Sequence, residues 1–148
     1  MNRPASIVLF EKLYLLSIVV SAIAIALGWE QMLAMAGARP GLSASAQQGV
    51  AIGAVAFTFV IALLLLYFIA RRASNVAKWI FVLLADYGVF AFVTGLSAKG
   101  LRVDAPFALN VVSLLLTLYC AWLLFRPDAK AWLESKGADG PPDPDTFA

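Results

Sequence analysis

Residues 47–75 read QQGVAIGAVAFTFVIALLLLYFIARRASN, an uncharged and mostly apolar run that ends at two arginines and a short polar turn. A helix needs about 20 mostly apolar residues to cross about 30 Å of hydrocarbon. The apolar part of this stretch, 47–70, meets this length, as do three further runs over 7–27, 76–97 and 105–125. The sequence therefore predicts four transmembrane helices. Because the turn at 73–75 is so short, the second and third helices should be antiparallel neighbours.

The composition agrees with a single membrane domain. Hydrophobic residues make up 62% of the chain and charged residues 14%, whereas soluble proteins carry about 25% charged residues. About 60 residues remain outside the four runs, too few for a separate soluble domain. We expect an all-α, antiparallel four-helix transmembrane bundle over 1–126 with an uncleaved first span. A short interfacial helix over 127–136 and an acidic Pro/Gly tail over 137–148 should follow.

The basic residues divide unevenly between the two ends of the predicted helices. Of the eleven, eight lie near the N-terminus, around the turn after the second run or after the fourth run, and three lie in the other loops. Since cytoplasmic loops carry the excess of Lys and Arg, both termini are predicted to be cytoplasmic. Membrane-interface anchors are expected at the span ends: Trp29, Trp79, Trp132, Arg71, Arg72 and Arg126.

Short polar patterns predict where the helices begin. Ser45 with Gln48 forms a capping-box pattern at the start of the second run. Ser74 or Asn75 can cap the third run, and Asp104 can cap the fourth.

Two apolar stretches lie outside the four runs. Residues 31–38 are apolar enough to continue the first helix until Arg39-Pro40-Gly41 ends it. In the C-terminal helix, Trp132 and Leu133 are expected to rest at the depth of the lipid headgroups.

The residue types that are scarce or absent exclude several kinds of chemistry. The chain has no histidine and a single cysteine, Cys120. An intrachain disulfide, a Cys-rich metal site and a His-ligated haem or pigment are therefore excluded, and we expect no metal and no cofactor. Cys120 should be a buried, inert thiol. The absence of a long basic run argues against nucleic-acid binding.

Asp86, in the middle of the third run, is the residue that most strongly suggests a function. It lies about 12 Å inside Lys78, and an ionisable residue at this depth is costly and by default indicates a functional site. Three interpretations are open: a hydrogen-bonded Asp that joins helices, which we favour, a salt bridge to a partner subunit, and a proton or ligand site. Because Ser17, Thr58 and Thr117 lie at a similar depth, we expect a small polar layer that holds Asp86 facing protein.

Small residues repeat at helical spacing along the runs. Gly49 and Gly53 form a GxxxG motif, which permits close approach of helix backbones. We interpret such faces as packing within the bundle; the alternative is self-association or docking to a partner subunit. Comparable faces are Ala91 with Gly95, then Ser17, Ser21, Ala24 and Gly28, and the mildly polar set Asn110, Ser113, Thr117 and Cys120.

Glu11 invites comparison with the essential glutamate of the small multidrug exporters, which are also short four-span proteins. The residues around Glu11 do not match that family, and Lys12 adjoins it. An ion pair with Lys12, Arg71 or Arg72 is therefore favoured over transport.

Two segments, RASNVAKW over 72–79 and FRPDAKAW over 125–132, resemble short stretches of small, uncharacterised bacterial inner-membrane proteins with four spans. The resemblance covers about 16 residues. It implies a bacterial inner membrane and carries over no activity and no functional residue.

For function, these observations favour a non-catalytic accessory or assembly subunit of a larger bacterial inner-membrane complex. Its expected partners are the lipid bilayer and other membrane-protein subunits, or a second copy of the chain. The alternative is a small oligomeric transporter or a lipid- or solute-binding membrane protein that uses Asp86. A membrane enzyme is disfavoured because no nucleophile–base pair is visible.

Overall fold

The structure is a computed structural model that describes residues 4–36, 43–99 and 104–135. Within these ranges it contains six α-helices and no strand: α1 (Ala5–Leu27), α2 (Trp29–Ala36), α3 (Ala44–Arg72), α4 (Asn75–Lys99), α5 (Ala105–Leu123) and α6 (Pro127–Glu134). Four helical segments, Ala5–Leu27, Ala44–Arg72, Asn75–Leu96 and Ala105–Leu123, are long and apolar enough to cross a membrane. The predicted all-α class with four helices of spanning length is confirmed.

The helix after the first run is separate rather than a continuation. Gly28 terminates α1, and its N–H donates to the carbonyl of Ala24 at 2.9 Å. The new helix α2 begins at the next residue. Its predicted end at Arg39-Pro40-Gly41 lies outside the described residues, as do Lys136 and the tail over 137–148.

Side-chain caps account for the starts of three helices. The Ser74 hydroxyl accepts from a backbone N–H in the first turn of α4 at 3.2 Å, and the Asp104 carboxylate does so in α5 at 2.8 Å, which confirms both predicted caps. The prediction of Ser45 as the α3 cap is wrong. Ser43 caps that helix, accepting at 3.3 Å, because the helix begins before Ser45 and places it in the first turn.

The core lies at one end of the four long helices, and we call this the closed end. There the first turns of α1 and α4 meet the last turns of α3 and α5, and α6 covers them. Aromatic rings join α1 to α4, with Phe81 edge-on to Phe10 at 5.6 Å and to Tyr14 at 5.0 Å. The largest fully buried side chains are Phe10, Ile7, Ile69, Leu123, Leu124 and Cys120, so the predicted burial of Cys120 is confirmed.

The placement of α6 differs from the prediction. Trp132 and Leu133 are 6% and 3% exposed and belong to the core cluster, so the expected contact of these side chains with the lipid headgroups is wrong. The reason is that α6 turns back over the closed end, where both side chains replace solvent contact with apolar contact. Trp132 is therefore not an exposed interface anchor.

The closest helix pair is α1 with α5. The face of α1 that meets α5 carries small residues: Ser17 and Ala24 are buried, and the Gly28 backbone lies against Pro106. Small side chains let two helix backbones approach closely. At the closed end, Arg71 of α3 pairs with Glu11 of α1 at 3.1 Å, which confirms the ion pair favoured for Glu11.

A long-range cap fixes α6 to the start of α1. The backbone N–H of Ser6 donates to the Asp128 carboxylate at 3.3 Å. The first N–H groups of a helix have no partner within it, and Pro4, the residue before α1, supplies no side-chain cap. The Ser6 hydroxyl and N–H lower the pKa of Asp128, although only the N–H meets full hydrogen-bond geometry.

We expect Asp128→Ala to destabilise the chain by up to about 1 kcal/mol at neutral pH, as loss of a helix cap does. Because the pKa of Asp128 is lowered in the folded state, its contribution is present above the unfolded-state pKa of about 3.9 and disappears as the pH falls through the folded-state value. Thermal unfolding in detergent from pH 7 to pH 3 measures this difference. Glu134→Ala, the same charge loss at the other end of α6, is the control; equal effects would contradict the cap.

Candidate functional site

A cavity of about 950 Å³ lies between the helices and is lined by residues of α1 to α5. It exists because the positions that face it midway along the helices carry small side chains, among them Ser17, Ala24, Ala85 and Gly88. These side chains leave unfilled the space that large residues fill at the closed end. The wall is mostly apolar and includes the rings of Phe81, Phe92 and Phe107.

A serine cluster joins α1 to α5 on the cavity wall. The hydroxyls of Ser21 and Ser113 lie 2.6 Å apart, and Ser113 also donates to the carbonyl of Ser17 at 3.3 Å. With that donor used, Ser21 donates to Ser113. The Ser17 hydroxyl donates to the carbonyl of Tyr14 at 2.8 Å. The cluster forms the side of the cavity between α1 and α5. All three hydroxyl hydrogens are donated in hydrogen bonds within the protein.

The other polar side chains of the wall also donate to carbonyls of their own helix. Thr58 and Thr117 each do so at 2.9 Å, and the Asn110 amide donates to the Pro106 carbonyl at 2.9 Å. A hydroxyl whose hydrogen is used keeps oxygen lone pairs that accept. The serine and threonine oxygens of the wall therefore present acceptors to the cavity, while the amides of Gln31 and Asn110 keep N–H donors. At the start of α5 the Asp104 carboxylate is a further acceptor, and it lies 3.5 Å from the amide nitrogen of Gln31.

Asp86 lies apart from this polar group. Ser17, Thr58 and Thr117 line the cavity, but Asp86 does not. It is exposed on the outer side of α4, and in the described part of the chain no residue hydrogen-bonds or pairs with it. The prediction that Asp86 faces the interior with these hydroxyls is wrong. The helix places Ala85 and Gly88 toward the cavity, and the 100° turn per residue carries Asp86 outward.

The glycine faces that were expected to pack within the chain are open. A methyl group added at Gly49, Gly53 or Gly95 would meet no atom within 4 Å, and Ala91 is exposed. The preferred interpretation of Gly49 and Gly53 as packing within the bundle is therefore wrong for this chain by itself. In the described residues, the face of α1 that ends at Gly28 packs in this way, against the α5 face that carries Ser113.

The expected interface anchors take different positions. Trp79, Arg72 and Arg126 are exposed, and Trp29 is half-buried. Arg126 lies over the Trp122 ring at 5.7 Å. Two side chains occupy positions that the sequence does not predict: Tyr14 lines the cavity, and Lys78 is buried. No pattern in the sequence distinguishes either residue from its neighbours.

Comparisons with known proteins add nothing to these observations. No protein-family model, curated protein or solved structure matches the chain. Function is therefore inferred from the geometry of the chain and its chemistry.

The glycines offer a matched test of this arrangement. Gly28→Leu should destabilise the chain by about 1–3 kcal/mol, because the new Cβ would lie in tight contact with the Ala24 carbonyl oxygen at 3.2 Å and against the Pro106 Cβ at 3.5 Å. Gly53→Leu, with nothing within 4 Å, should change the unfolding free energy by no more than about 0.5 kcal/mol. Thermal unfolding of the purified protein in detergent measures both. Equal destabilisation by the two variants would contradict the placement of α3.

Proposed function

We propose that the four long helices cross a membrane as an antiparallel bundle, with both termini on the cytoplasmic side of a bacterial inner membrane. The apolar length of each helix and the excess of basic residues at the closed end support this topology. Exposed leucines, valines and phenylalanines cover the outer faces of all four helices. Such surfaces suit lipid and would be unfavourable in water.

Within that membrane, we propose that the protein is a non-catalytic accessory subunit that binds another membrane protein through the outer face of α4. The exposed carboxylate of Asp86 is the observation that carries this proposal. Asp86 is near the centre of the segment Asn75–Leu96, about 15 Å from either end. An Asp at the centre of a transmembrane helix costs about 2.5–3.5 kcal/mol on insertion scales. A partner that supplies hydrogen bonds would offset this cost.

The face around Asp86 suits a helix of another protein. Leu83 and Phe90, which share this face, are 67% and 65% exposed. A second copy meeting the same face would place two Asp86 carboxyl groups opposite each other, with no basic or amide side chain to complement either. We therefore expect the partner to be a transmembrane helix with a basic or amide side chain near the middle of the membrane. The open face at Gly49 and Gly53 offers a second surface for close helix contact.

The test compares Asp86→Leu with Asp86→Asn in tagged protein purified from native membranes in mild detergent. Wild type and Asp86→Asn should co-elute with a stoichiometric partner, because the amide still accepts hydrogen bonds. Asp86→Leu should lose at least about tenfold in recovered partner, as expected for loss of a hydrogen bond to a charged group. Particle size and mass spectrometry of the co-eluting chains provide the measurement.

Leu115→Ala, at an exposed apolar position of α5 outside this face, is the control and should retain the partner. A small wild-type particle without a second protein would contradict the accessory role. Retention of the partner by Asp86→Leu would show that the complex forms elsewhere on the surface.

A second candidate function, binding of an amphiphile, is favoured by the cavity. Its apolar wall suits a hydrocarbon chain, its serine and threonine oxygens accept hydrogen bonds, and its described lining contains the Asp104 carboxylate at one end and no lysine or arginine. This arrangement suits a head group that donates hydrogen bonds, such as an alcohol or an amine. The ligand class is therefore a long-chain alcohol or amine rather than an anionic amphiphile.

Titration of dodecylamine and dodecyl sulfate into nanodisc-embedded protein tests this function. We expect saturable binding of the amine and none of the sulfate beyond that of empty nanodiscs. Gly88→Phe, which fills the cavity, should weaken amine binding about tenfold or more, since buried pocket contacts supply most of the affinity of small ligands. Gly53→Phe, on an open face, should not. Equal binding by both variants would contradict a ligand site in the cavity.

A further inference from the structure

Lys78 is a buried cation at the closed end. It lies in the first turn of α4 and is 6% exposed, whereas lysine is almost never fully buried unless it is paired. In the described residues no carboxylate lies within ion-pair distance of its ammonium group, and no hydrogen bond to that group is formed. The ring of Phe125 at 4.4 Å and that of Trp79 at 5.7 Å supply cation–π contacts only. The charge is therefore incompletely compensated.

A small cavity of about 190 Å³ adjoins this lysine. Lys78 and Lys130 line it together with one acid, Glu134, and the amide of Asn75. Two cations against one carboxylate leave a net positive charge, and the amide adds a neutral donor. The chemistry of the cavity therefore selects an anion that accepts several hydrogen bonds, as a phosphate group does.

The position of the cavity indicates where that phosphate comes from. Under the proposed topology the first turn of α4 lies at the cytoplasmic headgroup region, and Trp79 beside it is 54% exposed, as interfacial tryptophans are. The exposed apolar side chain of Ile80 continues from the cavity along α4. A phospholipid whose phosphate occupies the cavity can lay an acyl chain along this surface. A free phosphate ion would leave the apolar surface unused.

We propose that Lys78, Lys130 and Asn75 form a binding site for the phosphate of an anionic phospholipid in the cytoplasmic leaflet. Basic pockets between helix ends on this side of a membrane are suited to anionic headgroups. The site rests on the proposed membrane insertion and does not depend on the partner subunit. It is distinct from the large cavity, which lies beyond the closed end and presents acceptors rather than cations.

The experiment measures the thermal unfolding of the full chain in detergent with added phosphatidylglycerol, phosphatidylcholine or inorganic phosphate. Phosphatidylglycerol should raise the unfolding temperature of wild type in a saturable manner, since a ligand that binds only the folded state stabilises it. Lys78→Met, which keeps the buried apolar stem, should unfold at the same or a higher temperature without lipid. It should lose the response to phosphatidylglycerol, with about tenfold or greater weakening of binding.

Lys130→Gln should weaken phosphatidylglycerol binding to a smaller degree because that side chain is exposed. Lys12→Gln removes an equal charge from an exposed position on α1 and should leave binding unchanged. An equal loss in Lys12→Gln and Lys78→Met would overturn the site in favour of general surface charge. Competition by millimolar inorganic phosphate would overturn the lipid as its occupant.

Flotation with vesicles separates this inference from the proposed topology. Vesicles of phosphatidylcholine alone and of phosphatidylcholine with one-fifth phosphatidylglycerol are compared. Protein that resists extraction by carbonate from both kinds of vesicle is inserted in the membrane. If such protein shows no preference for vesicles that contain phosphatidylglycerol, only the headgroup site is overturned. Protein that is extracted from both would overturn the insertion and the site together.

Discussion

The close approach of α1 and α5 is the contact on which the rest of the arrangement depends. Between apolar helices in lipid, no hydrophobic force favours one helix pair over another, so association depends on van der Waals packing and hydrogen bonds. The small face of α1 supplies the first and the 2.6 Å contact of Ser21 with Ser113 supplies the second. Because α6 follows α5 and returns to α1 through Asp128, these three helices form one connected unit.

The position of α3 and α4 follows from side-chain size along that unit. At the closed end the large side chains of Phe10, Phe81 and Ile69 fill the space between helices. Farther along, several inward positions carry serine, alanine and glycine, and the larger inward side chains of α3 and α4 do not fill the space that remains. The same four helices therefore pack at one end and leave a half-open cavity between them toward the other, with no kink or break required in α3 or α4.

The sequence predicts the helices better than it predicts their faces. Length, capping residues and the charged turn determine the helix ends, and Ser74 and Asp104 cap as expected because a side chain and a backbone N–H three residues away act locally. The face of Asp86 is different. In a lipid-facing helix both the inner and outer surfaces are apolar, so hydrophobic periodicity does not distinguish them. Similarly, Trp132 is buried because α6 turns back over the closed end. A short helix that mixes apolar and charged residues does not reveal this direction by its composition.

The cavity hydroxyls, Lys78 and Asp86 differ in how completely their polar groups are hydrogen-bonded or paired. The free-energy cost that remains for each group decides which proposed function is preferred. The serine and threonine hydroxyls of the cavity each have a hydrogen-bond partner within the protein, so an empty cavity carries little polar penalty and an amphiphile gains mainly from apolar contact. Under the proposed topology Lys78 lies near the headgroups, where two aromatic rings and nearby lipid phosphates can share its charge. Asp86 has neither a hydrogen-bond partner in the described residues nor a position near the headgroups. A helix rotation that moved it inward would expose Ala85 and break the contacts of Phe81. A partner helix removes the largest of these costs without changing the fold, and for that reason the accessory role is preferred over the amphiphile site.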